Sequence, residues 1–179
     1  MPNHVANYVI ITGAENILRQ FWKKATTNAK DPINTDFDYD NLYPLPKNEE
    51  ENWYKWCIEH WGNKWGCYEV ENISNTNCFE SGSIELRYKT AWSSSRPFWT
   101  KITKDYKIKV LNYFHDEGSC FCGEEKYEDG NVQESKIFHL YDVHKKQFVE
   151  YAKLCGRTNW YDHEEETDTN SPKVEPLIN

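Results

Sequence analysis

The chain has 179 residues, with 21 Lys and Arg against 29 Asp and Glu and a net charge of −8, a length that suits one domain able to bury a real core. No run of about 18 apolar residues occurs, which excludes a membrane-spanning helix, and Met1-Pro2-Asn3-His4 opens no basic-then-apolar leader, so the expected location is the cytoplasm. From Tyr161 onward Asp162, Glu164, Glu165, Glu166, Asp168 and Glu175 face Lys173 alone, so residues 161–179 read as an acidic, solvated tail on a nearly balanced domain spanning 1–160.

In chain order, residues 4–12 (HVANYVIIT) carry β-branched side chains on both faces, the pattern of a central strand. Thr12 stands three residues before Glu15, the spacing of a capping box. Ile17, Leu18, Phe21, Trp22 and Ala25 follow at helical period and predict an amphipathic helix over 14–29, stopped by Asp31-Pro32. Asp36-Phe37-Asp38 reads as a short edge strand, and Pro44 and Pro46 hold 42–46 extended. Glu49, Glu50 and Glu51 suit the start of a second helix, on which Trp53, Trp56, Cys57, His60 and Trp61 share one face before Gly62 ends it.

Residues 83–92 alternate, placing Ile84, Leu86, Tyr88, Thr90 and Trp92 on the buried side of a strand. Pro97 opens a short helix that buries Phe98, Trp99 and Ile102. Residues 106–114, 119–128 and 135–141 read as three strands, turning at Glu117-Gly118 and Asp129-Gly130. Phe148, Tyr151, Ala152 and Cys155 mark a closing helix that Gly156 terminates. This order predicts an α+β, ferredoxin-like fold: an antiparallel sheet covered by helices on one face, with a helical insertion at about 33–80 and an extra C-terminal hairpin and helix.

Certain residues also point to a family. The chain opens Met1-Pro2-Asn3-His4 with Asn7 following, and continues with Trp56-Cys57-Ile58-Glu59-His60-Trp61-Gly62-Asn63-Lys64-Trp65, Thr90-Ala91-Trp92 with Pro97, and Tyr113, Asp116-Glu117-Gly118 with Phe121. Over residues 1 to about 125 this resembles the YubB-like family with a ferredoxin-like domain, found in phages, prophages and conjugative plasmids. The sequence departs from that pattern at His4, where Trp is common, at Asn63, where Thr is common, and at Gly66-Cys67, where Asn-Ala is usual. The resemblance implies a mobile-element accessory protein of the bacterial host cytoplasm and brings no assigned chemistry.

Eight Trp, twelve Tyr and eight Phe are more aromatics than a modest core uses, so part of them reads as a contact surface. Trp22, Trp53 and Trp99 read as core, whereas Trp61 and Trp65 flank Lys64 and, with Trp92, are expected to line a cleft. Asn63 lies inside that turn, and Arg96 adds a cation at a helix start. Asn3, His4 and Asn7 place polar groups at the strand end beside the cleft, and Glu117 coincides with the family's E-G turn. Six cysteines are expected as free thiols. Cys57 and His60 form half of a zinc pattern, but Cys120-x-Cys122 has the wrong spacing for the other half, and no metal or cofactor is expected.

The expected function is a binding module that takes a host defence protein or a small anionic, nucleotide-like ligand, with a homo-oligomer left open. An enzyme using His4 or His115 with Glu117 is one alternative. A single-strand nucleic-acid binder is another, disfavoured by the acidic balance. The chain has no phosphate loop, nucleophile elbow or H-E-x-x-H helix.

Overall fold

The computed structural model describes residues 3–26, 37–139, 141 and 143–157. Its centre is strand β1 (His4–Thr12), which pairs antiparallel on one side with β3 (Ser83–Ala91) and on the other with β4 (Lys109–Asp116). Strand β2 (Tyr68–Asn72) flanks β3, and β5 (Phe121–Glu128) and β6 (Asn131–His139) extend the sheet beyond β4, giving the order β2-β3-β1-β4-β5-β6. The first four strands with helices α1 (Glu15–Ala25) and α4 (Arg96–Tyr106) make the expected ferredoxin-like unit, and the β5–β6 hairpin and α5 (Lys145–Leu154) are additions. Among the described residues no helix is long and apolar enough to cross a membrane.

Alternation decides which face each side chain occupies. Val9, Ile11, Ile84, Leu86, Tyr88, Val110 and Tyr127 turn toward α1 and α4 and form the main core with Leu18, Phe21, Phe98, Trp99 and Ile102. The helical cover is not confined to that face. Cys122, Tyr113 and Phe138 turn the other way and meet Phe148 and Tyr151, so α5 packs on the opposite side of β4 and β5. Strands alternate to both sides, and Tyr113 and Phe138 make the second face sticky enough to seat a helix.

Several elements differ from expectation. The Thr12–Glu15 capping box does not form: Thr12 is still paired within β1, and Ala14 starts α1 with no side-chain cap. Helix α1 ends at Ala25; the rest of the predicted 14–29 helix beyond Thr26, with Asp31-Pro32, lies outside the described residues. Phe37-Asp38 is not a strand. The Asp38 carboxylate instead accepts the Asp40 N–H and caps a short helix α2 (Tyr39–Leu42), while the Phe37 ring lies 6.3 Å from each of Trp22, Tyr88 and Trp99; Asp36 lies outside the described residues.

Glu49 to Glu51 sit in a 3₁₀ turn (Lys47–Asn52) that feeds helix α3 (Trp53–His60). The tighter turn leaves Trp53 at the helix start, 43 % exposed, rather than in the core where the helical pattern placed it. Trp56, Cys57 and Trp61 are the buried residues of that face. Strand β2 was not foreseen; it lies within the stretch read as insertion, and its alternation is broken by a bulge between Tyr68 and Glu71. Of the three later strands, β4 begins and ends later than the predicted 106–114, β5 begins at Phe121 rather than 119, and β6 begins at Asn131, ahead of the predicted 135. Asp129 (φ 50°) with Gly130 (φ 77°) makes the hairpin turn that needs two positive φ angles.

The reassigned tryptophans set a stability contrast. Trp99→Ala, which empties a fully buried site, is expected to cost about 3–5 kcal/mol in urea unfolding, and Trp53→Ala to stay within about 0.5 kcal/mol of wild type.

Candidate functional site

Two residues beyond helix α3, Gly62, with φ of 83°, turns the chain hard against the start of α4; a Cβ there would lie 2.4 Å from Pro97 Cδ. The turn is locked by a buried polar cluster. Asn63 Nδ2 donates to Ser95 Oγ (2.7 Å), the Tyr39 hydroxyl reaches the same oxygen (2.7 Å), and Ser93 Oγ donates to the Gly62 carbonyl. Asn63 is thus an internal fastener with no exposed surface.

The next residue out is Lys64. Its Nζ lies 5.0 Å from the ring centroids of both Trp65 and Trp92, and among the described residues it makes no ion pair. An ammonium held between two indole faces is attracted by both ring quadrupoles. Trp92 does not occupy the buried side of β3. It adopts φ 78°, a strained conformation for a large side chain, which flips the ring out of the strand's alternation to 39 % exposure. Its N–H donates to the Asn3 carbonyl (3.0 Å), and the edge of Tyr54 meets its ring at 6.1 Å, with Trp53 beyond Tyr54 at 5.9 Å.

Trp61 is not part of this surface. It is 7 % exposed, donates Nε1–H to the Tyr43 carbonyl (3.0 Å) and packs edge-on to Trp56 at 5.4 Å. The expected Trp61–Trp65 sandwich is therefore a Trp65–Trp92 pair, filled by the chain's own lysine. Arg96 is also directed elsewhere. Its guanidinium pairs with the fully buried Glu125, which also accepts from the Tyr127 hydroxyl (2.5 Å) and Ser135 Oγ (3.1 Å), so its charge is neutralised at the β5–β6 hairpin.

The strand-end residues adjoin the aromatic ledge. The His4 ring meets Tyr68 edge-on at 5.6 Å and shares a hydrogen bond with its hydroxyl, and Tyr68 leans toward Trp65 at 6.3 Å. Burial, then the charges of Glu69 and Glu117, push the Tyr68 phenol up to about 12, so it stays protonated at neutral pH. Glu117 clamps the strand end: its Oε1 accepts the His4 N–H (2.6 Å) and its own N–H donates to the His4 carbonyl (2.9 Å). Asn7 is wholly buried, donating to the Val5 carbonyl (2.9 Å) and Thr90 Oγ1 (3.0 Å) and accepting from Asn112 (3.3 Å). The structure thus gathers Asn3, His4, Lys64, Trp65, Trp92 and Glu117 at one end of the sheet, sets Asn7, Trp61 and Asn63 behind them, and leaves Arg96 apart. Tyr54 and Tyr68 complete the ledge and were not foreseen, since neither falls on a recognisable apolar face.

His115 does not join Glu117. It is buried on the opposite face against Phe148 (5.7 Å), with Arg157 at 3.0 Å from Nδ1, and burial followed by the Arg157 charge lowers its pKa to about 4. Among the described residues, no group of three or more His, Cys, Asp and Glu is placed to hold a metal, and all six cysteines are free thiols.

Residues 64–172, more than half of the chain, match the family model described as the ferredoxin-like domain in Api92-like protein. The chain belongs to that family. This Api92-like domain is also similar to a solved structure, the crystal structure of a protein api92 from Yersinia pseudotuberculosis. The TM-score is 0.55 at 6% identity, over 78% of this chain and 99% of that one, a likeness that carries the fold alone. No curated protein matches the chain.

The burial of His115 has a measurable consequence. Between its folded value of about 4 and the unfolded value near 6.5 the unfolded chain binds more protons, so stability falls as pH drops through that window, by up to about 1.4 kcal/mol per pH unit. Urea midpoints of wild type and His115→Phe at pH 7, 6 and 5 should show this slope reduced in the variant.

Proposed function

We propose that this protein is a binding module whose recognition surface is the ledge of Tyr54, Lys64, Trp65 and Trp92, and that it takes an anionic ligand with a planar ring, of nucleotide type. The observation that carries the reading is Lys64. It is a cation held between two indoles with no carboxylate partner among the described residues, beside a tryptophan kept exposed at a strained φ. A phosphate or carboxylate supplies the missing counter-charge, and the outward faces of Trp92 and Tyr54 offer stacking for a base.

The acid–base alternative has less support, because His115 faces away and the Glu117 carboxylate is engaged by the main chain of His4. A single-strand binder needs a run of cations, and the ledge has one. The resemblance to mobile-element proteins adds a setting for the binding reading: capture of a nucleotide signal inside a bacterial host cytoplasm, as counter-defence.

Tryptophan fluorescence, titrated with ATP, GTP and cyclic dinucleotides, tests the reading. A member of this panel should shift the emission, and Trp92→Ala or Lys64→Ala should weaken it about ten-fold or more, roughly 1.4 kcal/mol each, with circular dichroism unchanged. Folded variants that bind as wild type does, or a panel without effect, would overturn it.

A further inference from the structure

The two edges of the sheet are built differently. β2 is five residues long, is interrupted by its bulge, and holds Glu69 at φ 51°, so it presents a short, irregular rim. Such features keep an edge from pairing with another chain. β6 is nine residues long; its register shift lies at Gln133, which leaves Glu134 to His139 in regular register with β5, and its outer edge has no strand beside it among the described residues. A Cβ at Gly123 would lie 2.2 Å from the Lys136 carbonyl oxygen, so that carbonyl faces β5. Alternate residues of a strand turn their backbone groups to opposite sides, so Ser135 and Ile137 turn theirs outward. Ile137 is also 40 % exposed.

An edge lysine normally discourages pairing. Here Lys136 is neutralised by Glu124 (2.9 Å) and Glu134 (2.6 Å), and Glu134 also meets Lys126 (2.5 Å). The strip is therefore an alternation of opposite charges rather than a single repelling sign. Its sequence, Gln133-Glu134-Ser135-Lys136-Ile137, is complementary to itself when reversed about Ser135.

We propose that β6 pairs edge to edge with β6 of a second copy of this chain, antiparallel, about a two-fold axis at Ser135. In that register Glu134 faces Lys136 of the second copy and the reverse, Ser135 meets Ser135, and the regular ladder ends where Ile137 reaches the register shift at Gln133. Directly opposed unlike charges favour a strand pair, and like charges disfavour it. A register centred on Lys136 or on Glu134 opposes like charges, so the charge pattern selects the Ser135 axis. Because that axis is normal to the sheet, each face continues across the junction. The two Arg96–Glu125 pairs flanking the axis through Ser135 are already neutral. A short ladder buries less than the roughly 1,200 Å² of a stable interface, so the dimer is concentration-dependent.

Sedimentation velocity over about two decades of concentration tests this. Wild type should pass from monomer to dimer. Glu134→Lys and Lys136→Glu should each weaken association at least ten-fold, and an equimolar mixture of these two variants should dimerise again, since one edge is then all positive and the other all negative. In wild type, the backbone N–H groups of Ser135 and Ile137 should exchange more slowly with deuterium as concentration rises, a readout that needs no variant. A monomer at every concentration, or a dimer that neither charge reversal touches, would sink the proposal.

Discussion

The hydroxyl of Tyr39 lies in an apolar interior, its ring stacked on Phe98 at 3.6 Å and edge-on to Tyr88 and Trp99, and a polar group survives there only when its hydrogen bonds are met. It reaches the Tyr88 hydroxyl on β3 (3.0 Å) and Ser95 Oγ at the start of α4 (2.7 Å). Burial holds this phenol well above its ordinary pKa, so its proton is retained. Through it the segment that interrupts the ferredoxin-like unit is fastened to both layers of that unit. Ser95 in turn receives Asn63, Asn63 fixes the turn after α3, and the next residue is Lys64. The ledge is thus the outer end of a chain of contacts whose inner end is one phenol in the core.

The same arrangement separates two kinds of tryptophan by a few residues. Trp61 and Trp65 flank one short turn, yet the first closes the core and the second walls the lysine. The indole that completes the pair comes from the far end of β3, where a left-handed residue ends the strand. The ledge therefore depends on tertiary structure: its parts come from α3, from the turn after it, from β2 and from the end of β3.

Much of the fold was legible because alternation and punctuation are local. The central strand, the buried row Ile84, Leu86, Tyr88 and Thr90, the Asp129-Gly130 turn and the Phe98, Trp99, Ile102 face are all present. Helical period, however, states which residues share a face and not which of them finds a neighbour, so Trp53 and Trp61 exchanged roles. Trp92 continued the alternation of β3 on paper, but a change of sign in φ is invisible to a period-two pattern. β2 was missed because its bulge breaks that period, and α5 was read correctly as a helix with no signal for the face it would choose. For the candidate site, Lys64 and Trp65 lie near the strand end, whereas Trp61 turns into the core and Arg96 meets a buried carboxylate that only the sheet register places beneath it.

The central position of β1 also shapes how the chain is made. Val5 pairs with Thr90 and with Asp116, so β1 leaves the ribosome ahead of partners encoded about a hundred positions later. At roughly 5–20 residues per second this interval is on the order of ten seconds. Until β3 emerges a β-branched segment stands with two bare edges, and long-range pairing of this kind is slow in itself. The same topology that places β1 between two partners in the finished domain leaves its second edge open until β4 arrives.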